Sequence, residues 1–304
     1  MTTSLSAIPH VIIMSAEFVM GITVNGFLII ISCNKLIKSR KLTPMQLILI
    51  CIGMSRFGLQ VMLMIQSFFS VFFPLIYLAK LYGAVIVFLW MFFSSASLWF
   101  ATCLSAFYCL KLISSTQSCF LFLKFRISKV ILWLLLGSLL ASVSTAVLCI
   151  AVDYPKVAED IFFGNATRTT MSKFKTKQTN EVLLVNLSLI FPLAVFLMCT
   201  FMLLMSLCKH THRMQNGSCG FQRASTAAHI NALRTVLTFF LFFISYFAAF
   251  IGNLTFIVPH GTQCYFLLKD IMAVYPSGHS VIIILSNSKF QQPFKRLLCL
   301  KKNQ

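Results

Sequence analysis

Seven long apolar runs divide the sequence. Each is long enough for a helix to cross the hydrocarbon core of a bilayer, which takes about 20 residues. They cover roughly residues 8–33, 46–74, 82–110, 130–152, 182–208, 232–258 and 266–287. The gaps between them leave no room for a separate soluble domain. We therefore predict an all-α membrane protein, with a seven-transmembrane helix bundle over 1–287 and a short basic tail over 288–304 that lies as a helix along the membrane surface.

The composition excludes a soluble enzyme. Of the 304 residues, 59% are hydrophobic and only 10% are charged, whereas soluble domains carry about 25% charged residues. The sequence shows no nucleotide-binding loop, no zinc motif and no Ser/His/Asp constellation, so we predict no catalytic residues, no metal and no cofactor. The net charge of +19 would suggest nucleic acid in a soluble protein, but here the charges lie between apolar runs and indicate topology instead.

The distribution of charge predicts the orientation of the chain. The connections after the first, third and fifth runs, together with the tail, hold most of the 25 basic residues and none of the six acidic ones. Loops rich in lysine and arginine stay on the cytoplasmic side of a membrane. We therefore expect the N-terminus outside and the C-terminus inside.

Several motifs along the chain occur together in one receptor family. Asn25-Gly26 lies in the first run and Ser55-Arg56 in the second, followed by Leu-Trp-Phe-Ala-Thr-Cys-Leu-Ser-Ala-Phe-Tyr-Cys-Leu-Lys over 98–111, Ala-His-Ile-Asn-Ala-Leu-Arg-Thr over 228–235 and Tyr-Pro-Ser-Gly-His-Ser over 275–280. These stretches resemble the motifs of type 2 bitter taste receptors, which are seven-helix G-protein-coupled receptors. The resemblance covers the whole chain.

This resemblance implies a function. The chain would bind small bitter agonists from the extracellular side and activate a heterotrimeric, gustducin-like G protein, leading to phospholipase C and calcium release. It would be a multi-pass protein of the plasma membrane, in contact with the lipid bilayer and not with nucleic acid. Homo- or hetero-oligomers stay open. The alternatives are an orphan or pheromone-type receptor and, from another class, a transporter or channel. Only Arg56 is expected to carry a charge deep in the bundle, which disfavours the latter.

The resemblance also points to ligand-binding residues. Trp90 and Tyr246 align with aromatic positions that face the ligand in the family, and Ser94 lies one helical turn from Trp90. Further candidates are Val185, Ser188, Lys269 and Met272. The alternative is that these side chains pack against lipid or core, and that Lys269 extends to water.

Arg56 is the first of four candidate structural or switch residues. A charge at such depth costs roughly 2.5–3.5 kcal/mol on insertion scales and usually has a partner. We expect that partner to be Asn25 or the backbone near Ser280. Either a fixed polar clamp or an element that repacks on activation fits this expectation. The family motifs add Tyr108 and His279.

Basic residues at the predicted inner surface have two interpretations. They can form a docking surface for a Gα subunit. Alternatively, they only hold these loops on the cytoplasmic side and attract anionic lipids. The coupling candidates are Lys111, Lys209, His229 and Arg234. Palmitoylation of Cys208 or Cys299 is left open.

Four Asn-x-Ser/Thr motifs occur, and topology chooses among them. Asn186 lies inside the fifth run, Asn216 in a loop assigned to the cytoplasm, and Asn253 close to the membrane. Only Asn165 lies in the middle of a long outer connection, over 153–181. We predict one N-glycan, on Asn165.

Overall fold

The computed structural model describes residues 3–39, 43–73, 80–112, 125–153, 190–206, 208, 237–252, 262–286 and 288–299. All regular secondary structure in these residues is helical. We number the helices in chain order: α1 Thr3–Ser39, α2 Pro44–Phe72, α3 Lys80–Leu112, α4 Ile127–Asp153, α5 Ile190–Ser206, α6 Leu237–Gly252, α7 Gln263–Ser286 and α8 Ser288–Cys299.

The predicted spans are confirmed where the structure describes them. Five helices, α1, α2, α3, α4 and α7, are long and apolar enough to cross a membrane. The shorter apolar helices α5 and α6 fall within the fifth and sixth predicted runs, whose remaining residues lie outside the described ones. The predicted tail helix is α8, which follows α7 closely.

Local sequence signals determine where two of the helices begin. Thr43 caps α2: its hydroxyl accepts a hydrogen bond from the Gln46 N–H at 3.4 Å, and the Gln46 side chain accepts one from the Thr43 N–H at 3.1 Å. This capping box satisfies N–H groups that would otherwise lack a partner. At the start of α7, the Thr262 hydroxyl accepts from the Tyr265 N–H at 3.3 Å. Both caps agree with the boundaries of the apolar runs to within a few residues.

Helix α2 contacts α1, α3, α4 and α7 in the described bundle. Helix α3 packs against α2 and α4, while α1 packs against α2 and α7. Helices α2 and α3 approach closely at Gly58, where a Cβ atom would lie 2.4 Å from the Phe93 ring and would force that ring to move. In contrast, α4 directs a row of large apolar side chains outward, among them Trp133 and Leu140, which are 73% and 71% exposed. Such an outer face suits contact with lipid rather than with water.

The short helix α8 is amphipathic and returns to α1. Phe290 is buried, and the Phe294 ring packs edge-on against Phe27 of α1 with 5.2 Å between centroids. Lys295 and Arg296 are exposed. This division between an apolar and a basic face is typical of a helix that lies along a membrane surface.

Candidate ligand site and the polar cluster next to it

Four of the seven candidate ligand residues lie together in the bundle. Trp90 on α3, Tyr246 on α6 and Met272 on α7 belong to one buried hydrophobic cluster. Ser94 is fully buried one turn along α3 from Trp90, and its hydroxyl faces the Tyr246 phenol. Helices that are distant in sequence therefore bring these residues into one small region.

This region contains buried polar atoms whose hydrogen-bonding capacity is not met by the described protein groups. They are the indole Nε1 of Trp90, the hydroxyl of Ser94 and the phenol of Tyr246, none of which has a partner of normal hydrogen-bond geometry among the described residues. Leaving one such group unpaired costs about 1–3 kcal/mol. An apolar pocket with a few converging polar atoms is how helical bundles bind small molecules.

The other three ligand candidates have different positions. Lys269 is buried, with 3% of its surface exposed, and its Nζ lies 4.9 Å from the centre of the Tyr265 ring. The structure therefore contradicts the alternative in which Lys269 extends to water. Val185 and Ser188 lie outside the described residues.

A continuous row of aromatic rings runs from Trp90 towards the middle of α7. Ring centroids are 5.3 Å apart between Trp90 and Phe250, 5.8 Å between Phe250 and Tyr246, and 4.5 Å between Tyr246 and Tyr275. Tyr275 in turn stacks on His279 at 5.6 Å. Through Tyr275, the row joins the ligand candidates to His279, one of the predicted switch residues.

Arg56 lies at the end of this row and is completely buried. Its Nη1 donates to the Ser280 hydroxyl at 3.0 Å, and its Nη2 donates to the Tyr275 phenol at 3.3 Å and also contacts Nδ1 of His279. A guanidinium can only donate, so Nδ1 of His279 is the acceptor and the imidazole proton is on Nε2. Arg56 therefore connects α2 to α7 through three side chains.

Asn25 joins the same cluster through Ser280. The Ser280 hydroxyl donates to the Asn25 Oδ1 at 2.6 Å, and Asn25 Nδ2 donates to the carbonyls of Gly21 at 2.9 Å and Pro276 at 3.2 Å. The expected partners of Arg56 were Asn25 or the backbone near Ser280. The structure places the Ser280 side chain between the two instead, because Asn25 is engaged by α1 and α7.

A second polar group, which the sequence did not predict, is formed by His10, Ser67 and Asp270. Nδ1 of His10 lies 2.6 Å from the Asp270 carboxylate, and Nε2 lies 3.3 Å from the Ser67 hydroxyl. The prediction that the chain has no Ser/His/Asp constellation was therefore wrong, because the fold brings these three side chains into contact. His10 and Ser67 are both buried between helices, so the arrangement joins α1, α2 and α7 and does not present Ser67 to a substrate.

Glu17 is another ionisable side chain, besides Arg56, that makes a contact inside the bundle. The Ser277 hydroxyl donates to Glu17 at 2.6 Å, one turn of α7 from Ser280. A signal for these residues was present, since polar groups in an apolar run usually face the bundle interior. Their partners could not be read from the sequence, because 260 residues separate Glu17 from Ser277.

The remaining candidates lie near the other ends of the helices or outside the described residues. Tyr108 is half-buried and its ring contacts Phe107 at 5.9 Å, while Lys111 is exposed and its Nζ lies 5.7 Å from the centre of the Phe107 ring. The structure does not describe the candidates Lys209, His229, Arg234 and Asn165. Among the described residues, no group of three or more metal-ligating side chains occurs.

Comparison with known proteins gives one consistent result. The family model described as "Taste receptor protein (TAS2R)" matches residues 1–302. The human protein taste receptor type 2 member 2 is 70% identical over 302 residues, which is 99% of both chains. Taste receptor type 2 member 7 of Pongo pygmaeus is 34% identical over 285 residues, covering 90% of this chain and 87% of its own.

A solved structure also resembles the bundle. The crystal structure of squid rhodopsin aligns with a TM-score of 0.63, covering 99% of this chain and 87% of its own, at 16% identity. At that identity the likeness concerns the fold alone. It supports the seven-helix architecture predicted from the apolar runs.

Proposed function

Because the chain belongs to the taste receptor (TAS2R) family, a family of G-protein-coupled receptors, we propose that it detects small bitter compounds. It is a multi-pass receptor of the plasma membrane and not an enzyme. Agonists would enter from the extracellular side and bind between α3, α5, α6 and α7. The observation that supports this site is the group of buried, unpaired polar atoms on Trp90, Ser94 and Tyr246 within an apolar cluster.

The proposed mechanism requires a difference in affinity between two receptor states. A ligand shifts a conformational equilibrium only as far as it binds one state better than the other. An agonist that accepts a hydrogen bond from the Trp90 indole and contacts Tyr246 would displace the rings that lead from Tyr246 to Tyr275. Tyr275 and Ser280 both accept hydrogen bonds from Arg56. A shift of the Tyr275 ring therefore changes the contacts between α2 and α7.

The function is tested by calcium imaging. Cells expressing this receptor with a chimeric gustducin-like Gα are exposed to a panel of chemically varied bitter compounds. We expect concentration-dependent calcium signals from at least one compound, which are absent when either the receptor or the Gα chimera is omitted. Signals that persist without the chimera would overturn the gustducin-like partner. A panel-wide absence of signal from receptor shown at the cell surface would overturn the ligand class.

We further propose that Lys111, Lys209, His229 and Arg234 contact the G protein. Their basic character matches an acidic or carbonyl-rich partner surface, and His229 belongs to the motif that enters the sixth run. The double variant His229→Gln/Arg234→Gln is expected to reduce the maximal calcium signal several-fold, while agonist binding is kept. If labelled agonist no longer binds, the two residues serve folding and the docking role is wrong.

The glycosylation prediction tests the topology directly. We expect a single N-glycan on Asn165 and an orientation with the N-terminus outside. N-glycosidase treatment should increase the gel mobility of the expressed protein, and Asn165→Gln should remove this change. Asn216→Gln is the matched control, since the same motif on the cytoplasmic side is not reached by the transferase. A glycan on Asn216 would reverse the proposed topology.

A further inference from the structure

A shallow groove lies where α4 begins. It has a volume of about 420 Å³ and is lined by Arg126, Lys129, Val130, Trp133 and Leu134. The Arg126 carbonyl accepts hydrogen bonds from the N–H groups of Lys129 and Val130, both at 3.0 Å, so helical geometry starts at this residue. Spacings of three and four residues then place the lining residues along one side of the helix.

The chemistry of the groove changes along its length. Its first part carries the exposed cationic side chains of Arg126 and Lys129. Its second part is formed by Trp133 and Leu134, which are 73% and 41% exposed. At a rise of about 1.5 Å per residue, the indole lies roughly 10 Å further along the axis than Arg126. This separation is enough to cross the headgroup layer of a bilayer leaflet, which is about 5–8 Å thick.

The cationic part and the apolar part of the groove each disfavour a different kind of ligand. A soluble anion would use the two cations and leave the apolar wall bare. A neutral lipid would use the wall and leave the cations unused. An anionic phospholipid uses both, because arginine and lysine bind phosphate while tryptophan settles at the boundary between headgroups and hydrocarbon.

We propose that this groove is a binding site for one anionic glycerophospholipid of the cytoplasmic leaflet. Arg126 and Lys129 contact the phosphate, and an acyl chain lies along Val130, Trp133 and Leu134. The positive end of the α4 dipole adds to the field at the phosphate. The inference rests on the proposed orientation, which puts the start of α4 at the cytoplasmic surface, but it requires neither a bitter ligand nor a G protein.

The site is tested by native mass spectrometry of the purified full-length receptor in detergent. The probes are dioleoyl-phosphatidylserine and dioleoyl-phosphatidylcholine, which carry identical acyl chains. We expect phosphatidylserine to be retained at least tenfold better. The variant Arg126→Gln/Lys129→Gln should lose about thirtyfold in affinity for it, since each basic residue near an anionic surface contributes roughly fivefold.

Matched variants separate a specific site from general charge. Lys295→Gln/Arg296→Gln removes two exposed basic residues from α8 and should change phosphatidylserine affinity less than threefold. Arg126→Lys/Lys129→Arg keeps both charges and should retain binding. Trp133→Ala should weaken binding several-fold with both charges present, and glycerophosphoserine, which has no acyl chains, should fail to compete.

Three results would overturn the proposal. Equal losses in the α4 and α8 double variants would show general surface attraction. Equal retention of the two lipids would show that charge is not recognised. Competition by glycerophosphoserine would show a soluble-anion site. Thermal unfolding of each variant checks that the receptor is folded, and the Asn165 experiment tests the orientation separately.

Discussion

Replacing His279 by leucine is expected to destabilise the receptor by about 1.5–3 kcal/mol, the range for losing a hydrogen bond to a charged group. Arg56 is fully buried, and His279 supplies one of its three acceptors. Leucine has no acceptor, and the guanidinium stays charged because it does not deprotonate in proteins. The measurement is the temperature at which half of the detergent-purified receptor aggregates, together with the amount at the cell surface, which should fall more than tenfold.

The double variant Arg56→Met/His279→Leu makes this prediction specific. Removing the charge as well removes the main penalty, so the double variant should be more stable than His279→Leu alone. Lys111→Gln, which alters an exposed cation, should stay within about 0.5 kcal/mol of the parent. Arg56→Met alone completes the cycle, and if the double variant loses as much stability as Arg56→Met and His279→Leu added together, Arg56 and His279 do not act as a pair.

The same variants distinguish the two interpretations of Arg56. A fixed clamp predicts that loss of the contact lowers the amount of folded receptor and leaves its signalling without agonist unchanged. A switch element predicts agonist-independent calcium signals from the receptor that remains. Basal signal divided by surface receptor is therefore the deciding quantity.

Truncating the aromatic residues of the ligand site gives the second large effect. Trp90→Ala and Tyr246→Ala should each raise the agonist concentration for half-maximal response more than tenfold, since loss of a buried aromatic contact costs a few kcal/mol and about 1.4 kcal/mol corresponds to a factor of ten. Tyr246→Phe keeps the ring contacts with Phe250 and Tyr275. It should affect only agonists that bond to the phenol.

Trp99→Ala is the control for this experiment. Trp99 lies on the same helix as Trp90, but its ring contacts Phe191 of α5 at 5.7 Å. It should leave potency within about threefold of the parent. Normal responses of both Trp90→Ala and Tyr246→Ala to every agonist would show that the ligand binds elsewhere.

The sequence predicted the spans well because their signal is strong and local. An apolar run of bilayer length has few alternatives, and α2 begins with a capping box that two residues, Thr43 and Gln46, define. Lys269 could not be predicted in the same way, because a long side chain with a charged end can be buried or reach water with little change in the sequence around it. The structure buries it beside Tyr265.

Polar partners inside the bundle were predicted only in part. The depth of Arg56 indicated that it needs an acceptor, and family motifs supplied Asn25 and His279. The intermediary role of Ser280 required geometry, since the order Arg56–Ser280–Asn25 depends on which hydroxyl reaches which helix. The contact of His10 with Ser67 and Asp270 spans 57 and 260 residues. No local pattern encodes such distances.

The polar bonds between α1 and α7 also have a consequence for biosynthesis. His10, Glu17 and Asn25 belong to α1, and each bonds to a partner on α7, which is synthesised much later. These sequence separations run from 251 to 260 residues, so the ribosome must add that many further residues before the partners exist. Until then, three polar side chains of α1 remain in or near the lipid without their native bonds. A product truncated before α7 would keep these polar side chains without their partners permanently. Cellular quality control could recognise such a product by them.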